Sequence, residues 1–249
     1  MARYFNAALY RLRKLTRTLF ILSDYVAFRR GLKHKQSRFP LRWNDFSPCV
    51  GEKTGSTYFD RHYVYHPAWA ARVLARTKPE SHTDISSVLQ FSAILSAFLP
   101  VKFYDYRVAH LNLSNLSSSK ANLVQLPFPD DSVMSLSSMH TVEHVGLGRY
   151  GDPIDPDGDL KAMSELKRVL APGGSLLFVV PIGEPRIAFN AHRVYGYRQI
   201  REYFADLTMK EFALIPQHEE DGDLIYNASE EQVDKEVYGC GCFWFVKDR

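Results

Sequence analysis

The sequence predicts an α/β fold in which helices cover both faces of a mainly parallel sheet. Two apolar runs typical of strands, Val133–Ser138 and Ser175–Pro181, are separated by a polar loop and a charged helical segment. Neighbouring parallel strands require a crossover connection of this kind. The turn Ala171-Pro-Gly-Gly then leads into the second run. Polar side chains that follow the first run should therefore lie at the carboxyl end of the sheet, where proteins of this class bind ligands.

Length and composition fit one such domain with a short appendage, because 249 residues at 45% hydrophobic content can bury one substantial core. Three cysteines do not make a disulfide framework, so a reducing compartment is expected. No apolar run approaches the roughly 18 residues of a membrane-spanning helix, and the N-terminus has no signal pattern. We expect a cytoplasmic protein, with the inner face of the membrane as an alternative location.

Residues 1–38 predict a basic, helical extension. They hold ten Lys and Arg against Asp24 alone, whereas the rest of the chain has 21 basic and 27 acidic side chains. Its apolar residues recur at helical spacing: Phe5, Leu9, Leu12, Leu15, Leu19, Leu22 and Val26. Such a helix can lie on an anionic membrane surface, or pack on the domain with its basic face in water. A protein partner is a further alternative, and no recognition motif indicates nucleic acid.

Residues 39–80 predict an aromatic-rich connector, or cap, ahead of the main domain at 81–249. Aromatic side chains at this density are typical of a cap on the core, and a binding surface is the alternative. A helix is predicted over Ala68–Arg76. His62 and His66, just before it, are candidates for the functional site.

The first half of the main domain has short elements of the same alternating kind. Thr83-Asp84-Ile-Ser-Ser predicts a first strand and its turn, Ser87–Leu99 a helix, and Val101–Asp105 a second strand. An acid at the end of the second strand can accept hydrogen bonds from two ribose hydroxyls. A pairing of Asp105 with Arg107 is the alternative.

These features resemble the Rossmann-like, three-layer fold of class I S-adenosylmethionine (SAM) methyltransferases. Their first turn usually reads Asp/Glu-x-Gly-x-Gly-x-Gly, because the glycines let the backbone approach the ligand closely. Here the matching stretch, residues 84–90, has no glycine, which argues against routine SAM binding. The resemblance nevertheless implies SAM as the cofactor and an enzyme of the methyltransferase type. It assigns cofactor binding to Asp84, Ser86, Ser87, Asp105, Asn122 and Leu123.

A narrower resemblance rests on three longer strings: His140–Asp152, Phe189–Arg193 and Tyr238–Cys242. They are similar to an uncharacterised bacterial family of unknown function, classed beside SAM-dependent methyltransferases and associated with surface-polysaccharide genes. The resemblance covers roughly residues 60–247. It implies a glycan or sugar-nucleotide substrate.

The catalytic candidates are His140, which is the favoured general base, Glu143 and His144, and the strand at 133–138 would deliver them to the rim of the pocket. A histidine oriented by a carboxylate suits general-base removal of a hydroxyl proton. Alternatively, Glu143 and His144 begin the next helix and cap it.

A metal site is not predicted. His140-x-x-Glu143-His144 matches the inverted zinc-protease pattern, but three glycines follow at once, so no long helix can continue. Zinc held by these histidines with His192 or Cys242 is the lesser alternative. Cys240-Gly-Cys242 predicts a tight turn into a last strand at 243–246.

The loop 146–158 and the segment after the fifth strand supply the substrate-binding candidates. Gly, Pro and Asp dominate the loop, and loops of this kind lie at functional rims. Asp157 or Asp159 can also cap the helix predicted over 160–170, and a solvated surface loop is the alternative for the later segment. The substrate candidates are Arg149, Tyr150, Asp152, Asn190, His192 and Arg193.

Three functions follow from these observations. The first is SAM-dependent O-methylation of a sugar or polysaccharide-related acceptor with a histidine base. The second is a glycosyl or other transfer from a nucleotide-sugar donor on the same fold. The third is a non-catalytic scaffold in a membrane-associated glycan-biosynthesis complex.

Overall fold

A computed structural model describes residues 18–32 and 38–249 of the chain. The chain divides into two compact units, and the division falls between Phe59 and Asp60. In the first, residues 18–32 form helix α1, and Tyr25 packs edge-on against Trp43 and Phe46. The predicted extension 1–38 falls partly on residues 1–17 and 33–37, outside the described residues, so its membrane contact stays a prediction. Within the described ranges, no helix is long and apolar enough to cross a membrane.

The larger unit contains ten strands and five α-helices. The strands are β1 His82–Ile85, β2 Val101–Asp105, β3 Leu116–Lys120, β4 Val133–Met139, β5 Leu170–Ile182, β6 Arg186–Ala188, β7 His192–Val194, β8 Thr208–Ile215, β9 Ile225–Tyr226 and β10 Gly239–Val246. The helices are α2 Arg61–Thr77, α3 Leu89–Leu95, α4 Gly158–Val169, α5 Tyr197–Tyr203 and α6 Glu230–Asp234. Three 3₁₀ turns complete the described elements of the chain: Trp43–Asp45, Val142–His144 and Glu219–Asp221.

Eight of these strands form one sheet in the order β3-β2-β1-β4-β5-β10-β8-β9, and β6 pairs with β7. Strands β1 to β5 run parallel, whereas β10 is antiparallel to both neighbours. Alternate side chains of β5 serve two cores: Phe178 packs with α4 and α5, and Val179 packs with α2 and α3. The predicted three-layer α/β fold is confirmed.

Helix α2 begins seven residues before the predicted helix over Ala68–Arg76. The Asp60 carboxylate accepts a hydrogen bond from the Tyr63 backbone N–H and caps the first turn. His62 and His66 therefore lie one turn apart on the same face of a helix.

The predicted turn at Cys240-Gly-Cys242 is wrong, because both cysteines lie within β10 and pair with β5. A side chain at position 241 would meet the Phe243 ring at 2.8 Å and Ile182 at 3.1 Å, so close packing inside the strand requires glycine there. Cys240 is fully buried in this strand.

A chain of buried polar groups joins β1 to β4 beneath the first turn. His82 Nε2 lies 2.9 Å from Ser137 Oγ, which donates to Asp84 Oδ1 at 2.7 Å. His82 Nδ1 lies 2.8 Å from Ser135 Oγ, and the Ser92 hydroxyl donates to Asp84 Oδ2. Since Ser137 donates its proton to Asp84, His82 is a neutral imidazole protonated at Nε2. Burial lowers the pKa of His82 to about 3.

This histidine predicts a loss of stability in mild acid. Below the ordinary pKa of 6.5 the unfolded chain binds a proton at His82, but the folded chain does not. The free energy of unfolding should fall by about 2 kcal/mol from pH 7 to pH 5 through this group alone. Urea denaturation at the two pH values, for the wild type and His82→Gln, measures the contribution.

The wild type must be compared with His82→Gln because burial also raises the pKa of Asp84. A raised carboxyl pKa increases the free energy of unfolding as the pH falls, which is opposite to the effect of His82. The wild type should lose about 2 kcal/mol more than His82→Gln over this range. Equal losses in the two proteins would contradict the neutral buried histidine.

Candidate functional site

A cavity of about 140 Å³ lies at the carboxyl ends of β1, β2 and β4. It brings together residues predicted as cofactor-binding, catalytic and substrate-binding. The predicted residues in its wall are Ser86, Asp105, Asn122, Leu123, His140, His144, Tyr150 and Asp152. Tyr106, Arg107 and Thr141, which were not among the predicted site residues, also line it.

The turn after β1 keeps a glycine-like backbone without glycine. Ser86 has φ +56°, in the left-handed region that glycine adopts most readily. Its backbone N–H donates to the Tyr104 carbonyl at 2.7 Å, and the Thr141 hydroxyl donates to the Ser86 carbonyl at 2.9 Å. The turn is therefore held from β2 on one side and from the end of β4 on the other.

Two of the predicted cofactor-binding residues lie outside the cavity wall. Asp84 is fully buried within the hydrogen-bonded chain below the turn. The Ser87 hydroxyl accepts the Met139 backbone N–H at 3.0 Å. Both side chains support the turn from beneath.

Asp105 and Asn122 each shape the loop that follows their strand. Asp105 Oδ1 accepts the Arg107 backbone N–H at 2.7 Å, and Asn122 Oδ1 accepts the Val124 backbone N–H at 3.2 Å. The Arg107 guanidinium stacks on Tyr150 instead of pairing with Asp105. Asp105 and Asn122 both line the cavity as well as shaping these loops.

Glu143 is a buried carboxylate between two histidines. Its Oε1 atom lies 2.9 Å from His140 Nδ1 and 3.7 Å from His144 Nε2. Its Oε2 atom is buried without a hydrogen-bond partner among the described residues. All three lie at the end of β4 or in the short 3₁₀ turn after it, and α4 begins only at Gly158. The alternative that Glu143 and His144 begin the next helix is therefore wrong.

His144 has the tautomer of a general base. Its Nδ1 atom lies 2.6 Å from the Ala191 carbonyl oxygen, which can only accept, and 3.2 Å from an Arg149 guanidinium nitrogen that donates to the same carbonyl. We assign the proton to Nδ1 because its contact with the carbonyl is the shorter one. The Nε2 lone pair is then on the side of Glu143. Burial is the main cause that lowers the pKa of His144, so the ring is neutral at pH 7.

His140 differs because both of its ring nitrogens have protein neighbours. Nδ1 lies beside Glu143, and Nε2 lies 3.3 Å from the Cys240 sulfur. Of the two predicted bases, His144 thus has the more suitable geometry for taking a proton from a ligand in the cavity.

His62 and His66 lie beside His140. The His62 ring stacks on the His140 ring with centroids 5.5 Å apart, and the His66 ring is edge-on to it at 5.0 Å. Burial lowers the pKa of His62 to about 4 and that of His66 well below its usual value. The two candidates from the connector therefore join the cluster at the end of β4.

Tyr150, from the loop 146–158, covers part of the cavity. Its ring lies beneath the Arg107 guanidinium at 4.5 Å and the Arg149 guanidinium at 5.1 Å, and edge-on to His144 at 5.6 Å. Asp152 holds the loop by accepting the Gly146 and Tyr150 backbone N–H groups. Arg149 also donates to the Ala191 carbonyl.

The predicted substrate residues after β5 have different environments. Asn190 is exposed at the tip of the β6–β7 hairpin, and the half-buried His192 packs against Tyr238 at 5.1 Å. Arg193 is 5% exposed and donates to the carbonyls of Val145 and Pro156. Its guanidinium anchors the loop 146–158, so it is not directed at a ligand as the sequence suggested.

Sequence reasoning missed the part that Cys240 has in this cluster. Its sulfur meets His140 only because the chain brings together residues 100 positions apart. The one local sequence signal for this cluster is the His62-x-x-x-His66 spacing, which places both rings on one face of a helix.

The family model described as "Caenorhabditis protein of unknown function, DUF268" matches residues 102–237. No curated protein matches the chain. The family description names neither bacteria nor polysaccharide genes, so that part of the resemblance stays a prediction.

Solved structures of methyltransferases share the fold. A chain from the complex of the Haloferax volcanii Trm112 methyltransferase activator with a protein assigned as a methyltransferase has a TM-score of 0.50 at 19% identity, covering 76% of this chain and 90% of that one. A Bacillus halodurans C-125 protein assigned as a methyltransferase has a TM-score of 0.51 at 16% identity, with 74% and 99% covered. The Burkholderia thailandensis 1,6-didemethyltoxoflavin-N1-methyltransferase, solved with its substrate and S-adenosylhomocysteine, has a TM-score of 0.50 at 11% identity, with 74% and 79% covered. At these identities the likeness shows the fold alone.

The position of Arg193 predicts a stability effect. Arg193→Lys keeps the charge but cannot reach both carbonyls, so one part-buried acceptor should lose its partner at a cost of about 1 kcal/mol. Thermal unfolding measures the loss, with the exposed Arg198→Lys as the control. If the two variants are equally stable, Arg193 does not anchor the loop.

Proposed function

Because the chain belongs to the DUF268 family and has the class I methyltransferase fold, we propose that it transfers a methyl group from SAM to a hydroxyl group of a sugar or glycan-related acceptor. The observation that carries this proposal is that donor-binding candidates and a histidine with base geometry line one cavity. Ser86, Asp105 and Leu123 form one part of the wall, and His144 forms another.

The residues present fit SAM, which would supply the methyl group. Asp105, at the end of β2, would accept hydrogen bonds from the ribose hydroxyls. Asn122 and Leu123 would face the adenine, with the amide as polar partner and the leucine as apolar wall. The left-handed backbone at Ser86 would bring the turn close to the methionine part, since a serine side chain is small.

His144 would act as the general base. The acceptor hydroxyl would lose its proton to Nε2 as its oxygen forms the bond to the methyl carbon. SAM, when bound, would supply an electrophilic methyl group and would keep the electron pair of the broken carbon–sulfur bond on its sulfur, which leaves S-adenosylhomocysteine. The Glu143 carboxylate, 3.7 Å from Nε2, would stabilise the imidazolium that results.

The rim beside His144 would position the acceptor. Arg149, Asn190 and His192 offer hydrogen-bonding groups, and the rings of Tyr63 and Tyr238 offer flat surfaces near the histidines. Such a rim suits a ligand with both hydroxyl groups and apolar faces, which supports a sugar-like acceptor.

The first prediction concerns cofactor binding. Asp105→Asn keeps the Oδ1 acceptor for the Arg107 N–H, so the turn should survive, but it removes the charge and one acceptor from the ribose contact. The affinity for S-adenosylhomocysteine should fall about 10- to 100-fold. Isothermal titration calorimetry measures it, with exposed Glu220→Gln as a charge-matched control.

Two outcomes of the same titration would overturn the proposal. If S-adenosylhomocysteine and SAM fail to bind the wild type at millimolar concentration, methyl transfer is excluded. If UDP- or GDP-sugars bind there instead, the fold serves a nucleotide-sugar donor. Binding of none of these ligands would favour a scaffold.

The second prediction concerns the base. His144→Asn should bind S-adenosylhomocysteine like the wild type, but its methyl-transfer rate should fall by about 10² to 10⁴. Because the pKa of His144 is lowered, the wild-type rate should stay level from pH 8 to pH 7 and fall only in acid. Transfer of labelled methyl from SAM to a panel of sugars, oligosaccharides and nucleotide sugars measures both.

Exposed His218→Asn is the control for this substitution. An unchanged rate in His144→Asn would exclude the base assignment. If SAM binds but the panel yields no methylated product, the sugar class of acceptor is wrong.

A further inference from the structure

Three side chains that can bind a metal ion lie close together at the end of β4. His62, His140 and Cys240 each offer one ligand atom, and these atoms lie within 4.8 Å of one another. It is the one such group of three His, Cys, Asp or Glu side chains among the residues that the structure describes. All three residues are buried.

His140 has the orientation of a histidine that binds a metal ion. Metal-bound histidines almost always donate the second ring N–H to a carboxylate or a carbonyl. Here Nδ1 lies 2.9 Å from Glu143 Oε1, which leaves Nε2 facing the Cys240 sulfur at 3.3 Å. An imidazole nitrogen and a sulfur at about this separation can share one small ion.

His66 adds an independent observation. It is fully buried, and its Nδ1 atom lies 2.6 Å from the His62 carbonyl oxygen, so Nδ1 is the donor. Its Nε2 lone pair has no hydrogen-bond partner among the described residues. A buried nitrogen without a partner is costly, which points to a ligand that is bound there. The His66 and His140 ring centroids are 5.0 Å apart.

We propose that His62, His140 and Cys240 bind one Zn²⁺ ion, with a water molecule as its fourth ligand and as the hydrogen-bond partner of His66 Nε2. Imidazole nitrogens and a thiolate are the ligands that Zn²⁺ prefers, in a tetrahedral arrangement of four. Binding releases the Cys240 thiol proton to solvent, because the thiolate is the ligand. Glu143 would orient His140 from behind.

The ion would join three parts of the larger unit that the chain supplies separately. His62 comes from α2, His140 from the end of β4 and Cys240 from β10. The proposal does not depend on methyl transfer, and it gives His140 a role other than the base.

The alternative is a buried hydrogen bond from the Cys240 thiol to His140 Nε2, with no metal. This arrangement explains the 3.3 Å contact but leaves His66 Nε2 without a partner. The two accounts differ in metal content, which can be measured on the whole protein.

The test begins with the full chain, purified without chelators or an affinity metal. Elemental analysis should find about one zinc per chain. After zinc is exchanged for Co²⁺, the spectrum should contain a thiolate-to-cobalt charge-transfer band and the visible bands of a tetrahedral ion. X-ray absorption at the zinc edge should give two imidazole nitrogens, one sulfur and one water oxygen as ligands.

Three variants locate the ion and test the carboxylate that orients His140. Cys240→Ser should lose the charge-transfer band, and Cys242→Ser, a buried cysteine two residues along the same strand, should retain it. Glu143→Gln should keep the ligands but weaken zinc binding about 10- to 100-fold. Circular dichroism and thermal unfolding report whether each variant is folded.

Zinc well below one per chain, together with no cobalt band in the wild type, would overturn the proposal. So would a band that persists in Cys240→Ser, or copper in place of zinc. These outcomes are independent of the cofactor titration, since a protein that binds zinc but not S-adenosylhomocysteine would keep this inference and lose the proposed function.

Discussion

The buried carboxylate of Glu143 is the group on which the candidate site depends. One oxygen faces both His140 and His144, at 2.9 Å and 3.7 Å, within a side chain that is 1% exposed. A carboxylate so far from water needs partners, and the two histidines are its nearest. It therefore fixes the orientation of the His140 ring, whereas the Ala191 carbonyl fixes that of the His144 ring beside it. One ring lines the cavity as a proposed base, and the other faces Cys240 as a proposed zinc ligand.

A second constraint fixes the turn that the cofactor would approach. The glycines typical of this fold are absent, yet Ser86 keeps the left-handed backbone. Asp84, with its partners on β4 and α3, holds the strand below the turn, and Thr141 holds the turn itself. Tertiary hydrogen bonds thus impose a conformation that glycine would otherwise make easy. The missing glycines change the side chains at the turn without removing its shape.

The sequence predicted the fold and much of the cavity because those signals are local. The predicted bounds of β2 were right, and Asp105 could be predicted as a cavity residue because it is the last residue of this strand. Two predictions failed for reasons of packing. Gly241 indicated a turn, but the Phe243 ring occupies the space a side chain would need inside β10. Arg193 is charged and follows a strand, yet the loop 146–158 folds over it and takes its hydrogen bonds.

A crystal structure with S-adenosylhomocysteine tests the central claim most directly, because it reports where the ligand lies as well as whether it binds. We expect the ribose hydroxyls to contact Asp105 and the adenine to lie beside Asn122 and Leu123. The sulfur should lie in the part of the cavity that His144 lines. A ligand bound elsewhere, or a Ser86 turn that blocks the methionine part, would contradict the assignment of this cavity to a methyl donor.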